Sequence, residues 1–98
     1  MEFEEISTEE WKPENAGDSI EGKYIRKKEC VGRNEANVYY IENNKKKYLI
    51  WGTTILDDRM EFVNIGDYIM IEYRGTVPSK KGNDLKLFKL LRAKNETN

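Results

Sequence analysis

The sequence contains no histidine and only one cysteine, Cys30, among its 98 residues. Histidine is the commonest general base and metal ligand, and a lone thiol has no partner for an internal disulfide. We therefore predict that the chain is not an enzyme, and we expect no catalytic residue, metal site or cofactor. Cys30 is expected to be an ordinary thiol at the end of a strand.

Long apolar runs are also missing, since no stretch approaches the roughly 20 residues of a membrane-spanning helix. The acidic N-terminal residues are unlike a signal or transit peptide. These absences predict a cytoplasmic protein without a membrane partner. With 38% hydrophobic and 36% charged residues, a chain of this length is expected to form one domain with a small core.

The net charge of -1 hides an uneven distribution. Residues 1–22 hold eight acidic side chains against Lys12 alone, whereas the rest of the chain is basic. Two interpretations stay open: the acidic start is a solvated lead-in, or it is an arm that covers the basic face until a stronger polyanion displaces it. We predict a lead-in at 1–16, a domain at 17–93 and a frayed tail at 94–98.

The most informative stretch, residues 47–75, predicts a strand, a short helix and a second strand. Thr54 and Asp57 have approximately the spacing of a capping box, so a helix of about ten residues should begin near Thr54. Its apolar residues recur at helical spacing. The strand that follows alternates, with Ile69, Ile71 and Tyr73 on one face.

Three further strands are predicted around this stretch. A long first strand covers 19–31, with Gly22 marking a bulge or bend. A hairpin joins strand 38–43 to strand 46–51, and a last strand at 85–92 has ambiguous facing. The class is therefore all-β with one short helix, arranged as a closed or nearly closed five-stranded barrel with Trp11 packed over one end.

The alternation in the hairpin decides which side chains face solvent. If Lys47 is outside, Trp51 is also outside, and on the preceding strand Glu42 puts Tyr40 and Val38 outside while Tyr39 points inward. Trp51 and Tyr40 then form an exposed aromatic platform beside a cation, and such exposed groups usually mark a contact surface. The opposite facing would bury Trp51 in the core.

The order of these elements resembles the OB-fold, a five-stranded barrel with the helix between strands 3 and 4. The segments GDSIEGKYI, GRNEANVYYIE, YLIWGTTILDDRM and GDYIMIEY, with the loop at 79–82, resemble small single-stranded DNA-binding proteins of phages and other mobile elements over about residues 17–91. The resemblance implies sequence-tolerant binding of single-stranded DNA in replication or recombination, in the host cytoplasm if the protein is viral.

This resemblance implies ligand contacts at Arg33, Asn37, Tyr39 or Tyr40, Trp51, Lys80 and Lys81. A basic groove between the loops that flank strands 2 and 3 adds further cations, namely Lys28, Lys47, Arg74 and Lys86. Two alternatives stay open: an RNA-binding barrel of the cold-shock or translation-factor kind, and a protein-interaction barrel in which Trp51 and Tyr40 contact another subunit. A homo-oligomer is compatible with each of these hypotheses.

Overall fold

The structure, a computed structural model, describes residues 8–33, 35–80, 82 and 84–93. Six strands and one helix follow in the order β1 Thr8–Glu10, β2 Ser19–Val31, β3 Ala36–Asn43, β4 Lys46–Trp51, α1 Thr54–Met60, β5 Tyr68–Pro78 and β6 Asp84–Arg92. The strands form one sheet in the order β1-β4-β3-β2-β5-β6. The predicted class, all-β with one short helix, is confirmed.

The prediction of five strands in a closed or nearly closed barrel differs from what is observed. Thr8–Glu10 pairs in parallel with residues 47–49 of β4. The backbone N–H of Trp11 continues this edge by donating a 2.9 Å hydrogen bond to the Leu49 carbonyl. The resulting six-stranded sheet is open, because no pairing joins β1 to β6 in the described ranges. Residues 8–10, within the predicted lead-in, therefore form an edge strand of the sheet.

The predicted long first strand is observed as β2, which pairs with two neighbouring strands. Residues 19–23 pair with β5, residues 23–31 pair with β3, and Lys23 is opposite a residue on each side. Of the two expectations for Gly22, a bulge or a bend, the bulge is not observed there, since the register shifts fall at 24–26 and 28–31. A Cβ on Gly22 would lie 2.5 Å from the Glu42 carbonyl oxygen, so close backbone approach is what requires glycine there.

The hairpin of β3 and β4 closes on the pair Asn43 and Lys46. The two residues between them have positive φ, 51° for Asn44 and 66° for Lys45. This is the two-residue type I′ turn whose twist matches that of the strands. The turn fixes the register of the hairpin, which aligns Val38 with Trp51 at its far end.

Helix α1 follows β4 in the chain, covers the core and contacts β6. Its N-cap is Thr53 rather than Thr54, and the Thr53 hydroxyl accepts a 3.4 Å hydrogen bond from the Leu56 N–H. The helix has seven residues instead of about ten. No helix in the described ranges has the length and apolar character needed to cross a membrane.

The core is one apolar cluster between the inner sheet face and α1. The predicted facing of β5 is confirmed, because Ile69, Ile71 and Tyr73 are buried. The ambiguity on β6 is resolved, since Phe88 is buried and its ring centroid lies 5.6 Å from that of Tyr73. The cluster contains Ile20, Tyr24, Tyr39, Ile41, Ile50, Leu56, Met60, Val63, Ile69, Ile71, Tyr73 and Phe88, with Trp11, Tyr48 and Leu90 packed against it.

Candidate nucleic-acid interface

One face of the β2-β3-β4 sheet carries two aligned rows of side chains that point away from the core. The first row runs Lys28, Val38, Trp51, and the second runs Arg26, Tyr40, Leu49. We call these six residues the outer face. Strand alternation produces it, because Tyr39 and Ile50, the intervening residues, are buried in the core.

The aromatic side chains of the outer face are Tyr40 and Trp51. Trp51 is 41% exposed and Tyr40 is half-buried, so the predicted outward facing of both is confirmed. They are diagonal neighbours across β3 and β4, a relation that separates Cα atoms by about 7–8 Å. Val38 lies beside them and is 2% exposed although it is outside the core cluster, which indicates that its neighbours on the outer face cover it.

Two cations lie over the Tyr40 ring. The Arg26 guanidinium carbon is 5.9 Å from the ring centroid and the Lys28 Nζ is 5.6 Å from it. Neither side chain forms an ion pair with another described residue. Both positive charges therefore remain available to an anion beside an aromatic ring.

Arg26 was missed by sequence reasoning. The register between β2 and β3 shifts between Tyr24 and Arg26, so simple counting along β2 from the core residue Tyr24 does not establish which residues share the outer face. The signal that could have found it is the spacing of Arg26 and Lys28, since residues two apart in a strand share a face.

The turn between β2 and β3 lies next to Trp51. A Cβ built on Gly32 would be 3.9 Å from Cη2 of the indole. Arg33 follows Gly32 in this turn and is exposed, without an ion pair to any described residue. The structure therefore brings the turn that carries Arg33 to the tryptophan side of the outer face.

Lys47 is not beside Trp51 as the platform hypothesis required. The two residues are four positions apart on β4, which corresponds to about 13 Å along a strand. Lys47 is opposite Glu42 in the register, so a carboxylate-bearing residue is its cross-strand neighbour. Lys47 points to the same face of the sheet as Trp51 but lies at the other end of β4.

The assignment of Tyr39 as a stacking residue is wrong, because its side chain is 1% exposed. Its hydroxyl donates a 2.5 Å hydrogen bond to Asp57 Oδ1. Burial, followed by this hydrogen bond and the charge of Asp57, holds the pKa of Tyr39 well above its ordinary value of 10.0, while the Asn37 side chain acts in the opposite direction. Tyr39 thus joins β3 to α1.

Asn37 is half-buried at the start of β3, where it takes part in the same junction. Its carbonyl accepts a 2.7 Å hydrogen bond from the Gly52 N–H, in addition to its side-chain contact with Tyr39. These bonds give it a structural role in holding the end of β4, which positions Trp51. A ligand contact at Asn37 stays a prediction.

The four cations predicted around the loop between β5 and β6 have different surroundings. Lys86 lines a groove together with Trp51. Arg74 is exposed and its Nη1 lies 3.5 Å from Glu72 Oε1, so a carboxylate partly offsets its charge. Lys80 is exposed in the loop, and Lys81 lies outside the described residues. Lys86 is the member of this group that the structure brings to the aromatic residues.

The described part of the acidic lead-in lies at the edge of β4 rather than over the outer face. Glu9 is 3.7 Å from Lys46, and Glu10 is 3.0 Å from Lys12. Neither contacts Arg26 or Lys28. Glu2, Glu4 and Glu5, which belong to the same hypothesis, are outside the described residues.

The described residues contain no group of three or more histidine, cysteine or acidic side chains arranged to hold a metal ion. Cys30 is exposed at the end of β2. No protein-family model, curated protein or solved structure matches the chain.

Proposed function

We propose that this domain binds single-stranded DNA with little sequence preference, in replication or recombination. The observation that carries the proposal is the outer face itself, where Tyr40 lies under two cations that form no ion pair with a described residue and next to exposed Trp51. Sequence-tolerant binding needs this combination, because flat rings stack on any base and fixed positive charges follow the phosphates. The protein acts as a binding module and performs no catalysis.

As part of the same proposal, we assign the domain to the OB-fold class. When β1 is set aside, five antiparallel strands remain in the order β4-β3-β2-β5-β6, with α1 between the third and fourth along the chain. This connectivity supports the assignment. The closure that a barrel would have between β4 and β6 is absent, and β1 lies along β4 instead.

A strand crossing the outer face would run from the Arg26 and Lys28 side toward Trp51. Bases stack on Tyr40 and Trp51, while phosphates contact Arg26, Lys28 and Arg33. With Lys86 included, about four phosphates are neutralised, which corresponds to a slope of log affinity against log salt near -3 for a single strand.

The test is fluorescence anisotropy with a labelled oligo-dT across a salt series, with duplex DNA and RNA of equal length as competitors. We expect that neither duplex DNA nor RNA competes strongly with the labelled oligo-dT. We also expect a slope of log affinity against log salt near -3. A slope close to zero contradicts the electrostatic account. Preferred displacement by RNA indicates an RNA-binding protein instead, because contacts to the 2′-hydroxyl favour RNA.

One observation favours protein association as a second function. Phe62, Tyr68 and Leu91 are exposed large hydrophobic side chains, and each lines a groove that also includes Arg92. Exposed apolar groups that cluster in this way usually mark a contact surface. Light scattering with and without oligonucleotide determines whether copies of the chain associate through it.

A further inference from the structure

A groove of about 450 Å³ opens where the sheet fails to close, between β4 and β6. Ile50 and Phe88, two core residues, line it, and so do both tryptophans of the chain, Trp11 and Trp51. Its volume falls within the range of about 300–1,000 Å³ that is usual for small-molecule sites. It is therefore large enough to take a flat ring from a bound ligand.

We infer that this groove receives one nucleobase of the bound strand and that Lys86 contacts the adjoining phosphate. The inference rests on the proposed function and extends it, since Trp51 belongs both to the outer face and to the groove. A strand stacked on one side of Trp51 continues directly into the groove on the other side. The tryptophan is the point where the path turns from the sheet face to its open edge.

The walls of the groove suit the faces of a base. Neither Trp11 nor Trp51 contacts another aromatic ring of the described chain, so no described ring of the protein competes with a base for stacking on them. The Trp11 side chain packs against the core, and its backbone N–H donates a hydrogen bond to the Leu49 carbonyl that fixes the main chain at this residue. Base stacking on such rings tolerates any sequence.

The charges around the groove orient the nucleotide. Lys86 is exposed and has no ion pair with a described residue, whereas Lys12 is paired with Glu10 at 3.0 Å. Glu10 and Glu14 lie beside Trp11 and repel a phosphate on that side. The neutral base therefore enters toward Trp11, and the phosphate stays on the Lys86 side.

Two single-tryptophan proteins separate the groove from the outer face. In Trp51→Phe the remaining emission comes from Trp11 in the groove, and in Trp11→Phe it comes from Trp51. We expect saturating oligo-dT, with binding followed by anisotropy in the same sample, to quench the emission of both proteins. If oligo-dT binds both proteins but quenches the emission of Trp11→Phe alone, the Trp11 indole does not contact the strand. That result overturns the inference and leaves the proposed function intact.

Lys86→Gln tests the phosphate contact without altering either indole. We expect the salt slope to become smaller in magnitude by about 0.7, the value for one single-strand phosphate. Lys89→Gln is the matched control. Lys89 is an exposed lysine on the same strand, but it is three residues from Lys86, so it points to the opposite face, and it lies opposite Glu72. Equal slopes for Lys86→Gln and the unaltered protein contradict the inference. Absence of any oligo-dT binding by the unaltered protein rejects the proposed function, and this inference with it.

Discussion

The Tyr39 hydroxyl donates a 2.5 Å hydrogen bond to Asp57 Oδ1, which joins the central strand β3 to the first turn of α1. A Cβ on Gly52 would collide with the same Asp57 carboxylate, so the glycine lets the strand end and the helix start approach each other. Tyr40 and Trp51, the aromatic residues of the outer face, adjoin Tyr39 and Gly52 in the chain. The hydrogen bond thus fixes the local backbone on which the outer face depends.

Tyr39→Phe should lower the free energy of unfolding by about 1–3 kcal/mol, because it leaves a partly buried carboxylate oxygen without its donor. Urea denaturation at neutral pH measures the change. Tyr68→Phe is the matched control, since the Tyr68 hydroxyl also contacts a carboxylate, Glu21, at 3.3 Å but on the exposed surface. The control should change stability by less than about 0.5 kcal/mol. Equal changes in the free energy of unfolding would show that the partly buried hydrogen bond stabilises the fold no more than the exposed one.

Tyr39 should also make the protein sensitive to alkali. Its pKa is raised in the folded state, so its contribution to stability is complete below the ordinary value of 10.0 and is lost as the pH rises above it. The loss amounts to at most about 1.4 kcal/mol per pH unit. Urea denaturation between pH 9 and 11 should show a steeper decline for the unaltered protein than for Tyr39→Phe. Parallel declines would contradict this prediction.

Trp51→Ala should weaken binding of oligo-dT by about ten- to a hundredfold, since one stacked base contributes about 1–3 kcal/mol. The protein should stay folded, because the indole is 41% exposed and lies outside the core cluster. Fluorescence anisotropy measures the affinity, and circular dichroism checks the fold.

Phe62→Ala provides the control for Trp51→Ala. Phe62 is the most exposed of the large hydrophobic side chains described, and it lines a groove with Arg59 and Arg92 rather than the outer face. Its removal should leave the affinity for oligo-dT unchanged. Normal binding by a folded Trp51→Ala protein would remove the aromatic platform from the mechanism.

Arg26→Gln and Lys28→Gln should each reduce the magnitude of the salt slope by about 0.7, if each side chain neutralises one phosphate. Lys27→Gln is the control from the same strand, because Lys27 lies opposite the core residue Tyr39 and is paired with Glu29 at 3.2 Å. Anisotropy across a salt series measures the three slopes. A larger effect at Lys27 than at its two neighbours would place the ligand on another face.

Gly22→Ala should destabilise the fold by about 1–3 kcal/mol or more, as overpacking in a closely packed site does. The added methyl group would meet the Glu42 carbonyl oxygen at 2.5 Å and Ile41 Cγ2 at 2.6 Å. Ser19→Ala, at an exposed position of the same strand, should have little effect. Thermal unfolding followed by circular dichroism compares the two, and equal midpoints would contradict the close approach.

The parts of the fold that followed from the sequence are those in which apolar and polar residues alternate. Ile50 and Trp51 differ in facing because neighbours in a strand point to opposite sides, and the same rule identified Ile69 and Ile71 as core residues. The alternation had also put Tyr39 inward, and only the family resemblance made it a candidate for stacking. Its burial shows that the strand pattern was the better guide.

The parts that could not be predicted depend on long-range backbone geometry. Thr8–Glu10 consists of polar residues without alternation, and its pairing follows from the free edge that β4 offers. Arg26 reaches the Tyr40 ring across a register shift, so counting from the core residue Tyr24 does not reveal its facing and only its spacing from Lys28 does. The sequence predicts Lys86 as a groove cation but not its place in one groove with Trp51, which depends on an opening in the sheet that only the complete strand order defines.

The parallel pairing of Thr8 with Lys47 has a consequence for the order of assembly during synthesis. Because β1 precedes β4, its pairing partner, in the chain, it cannot dock until the hairpin of β3 and β4 has emerged. Loop-closure entropy must be paid before a non-local pairing of this kind contributes stability, so such contacts tend to form late. We expect β1 to attach after the hairpin has formed and to be among the first segments released when the protein opens.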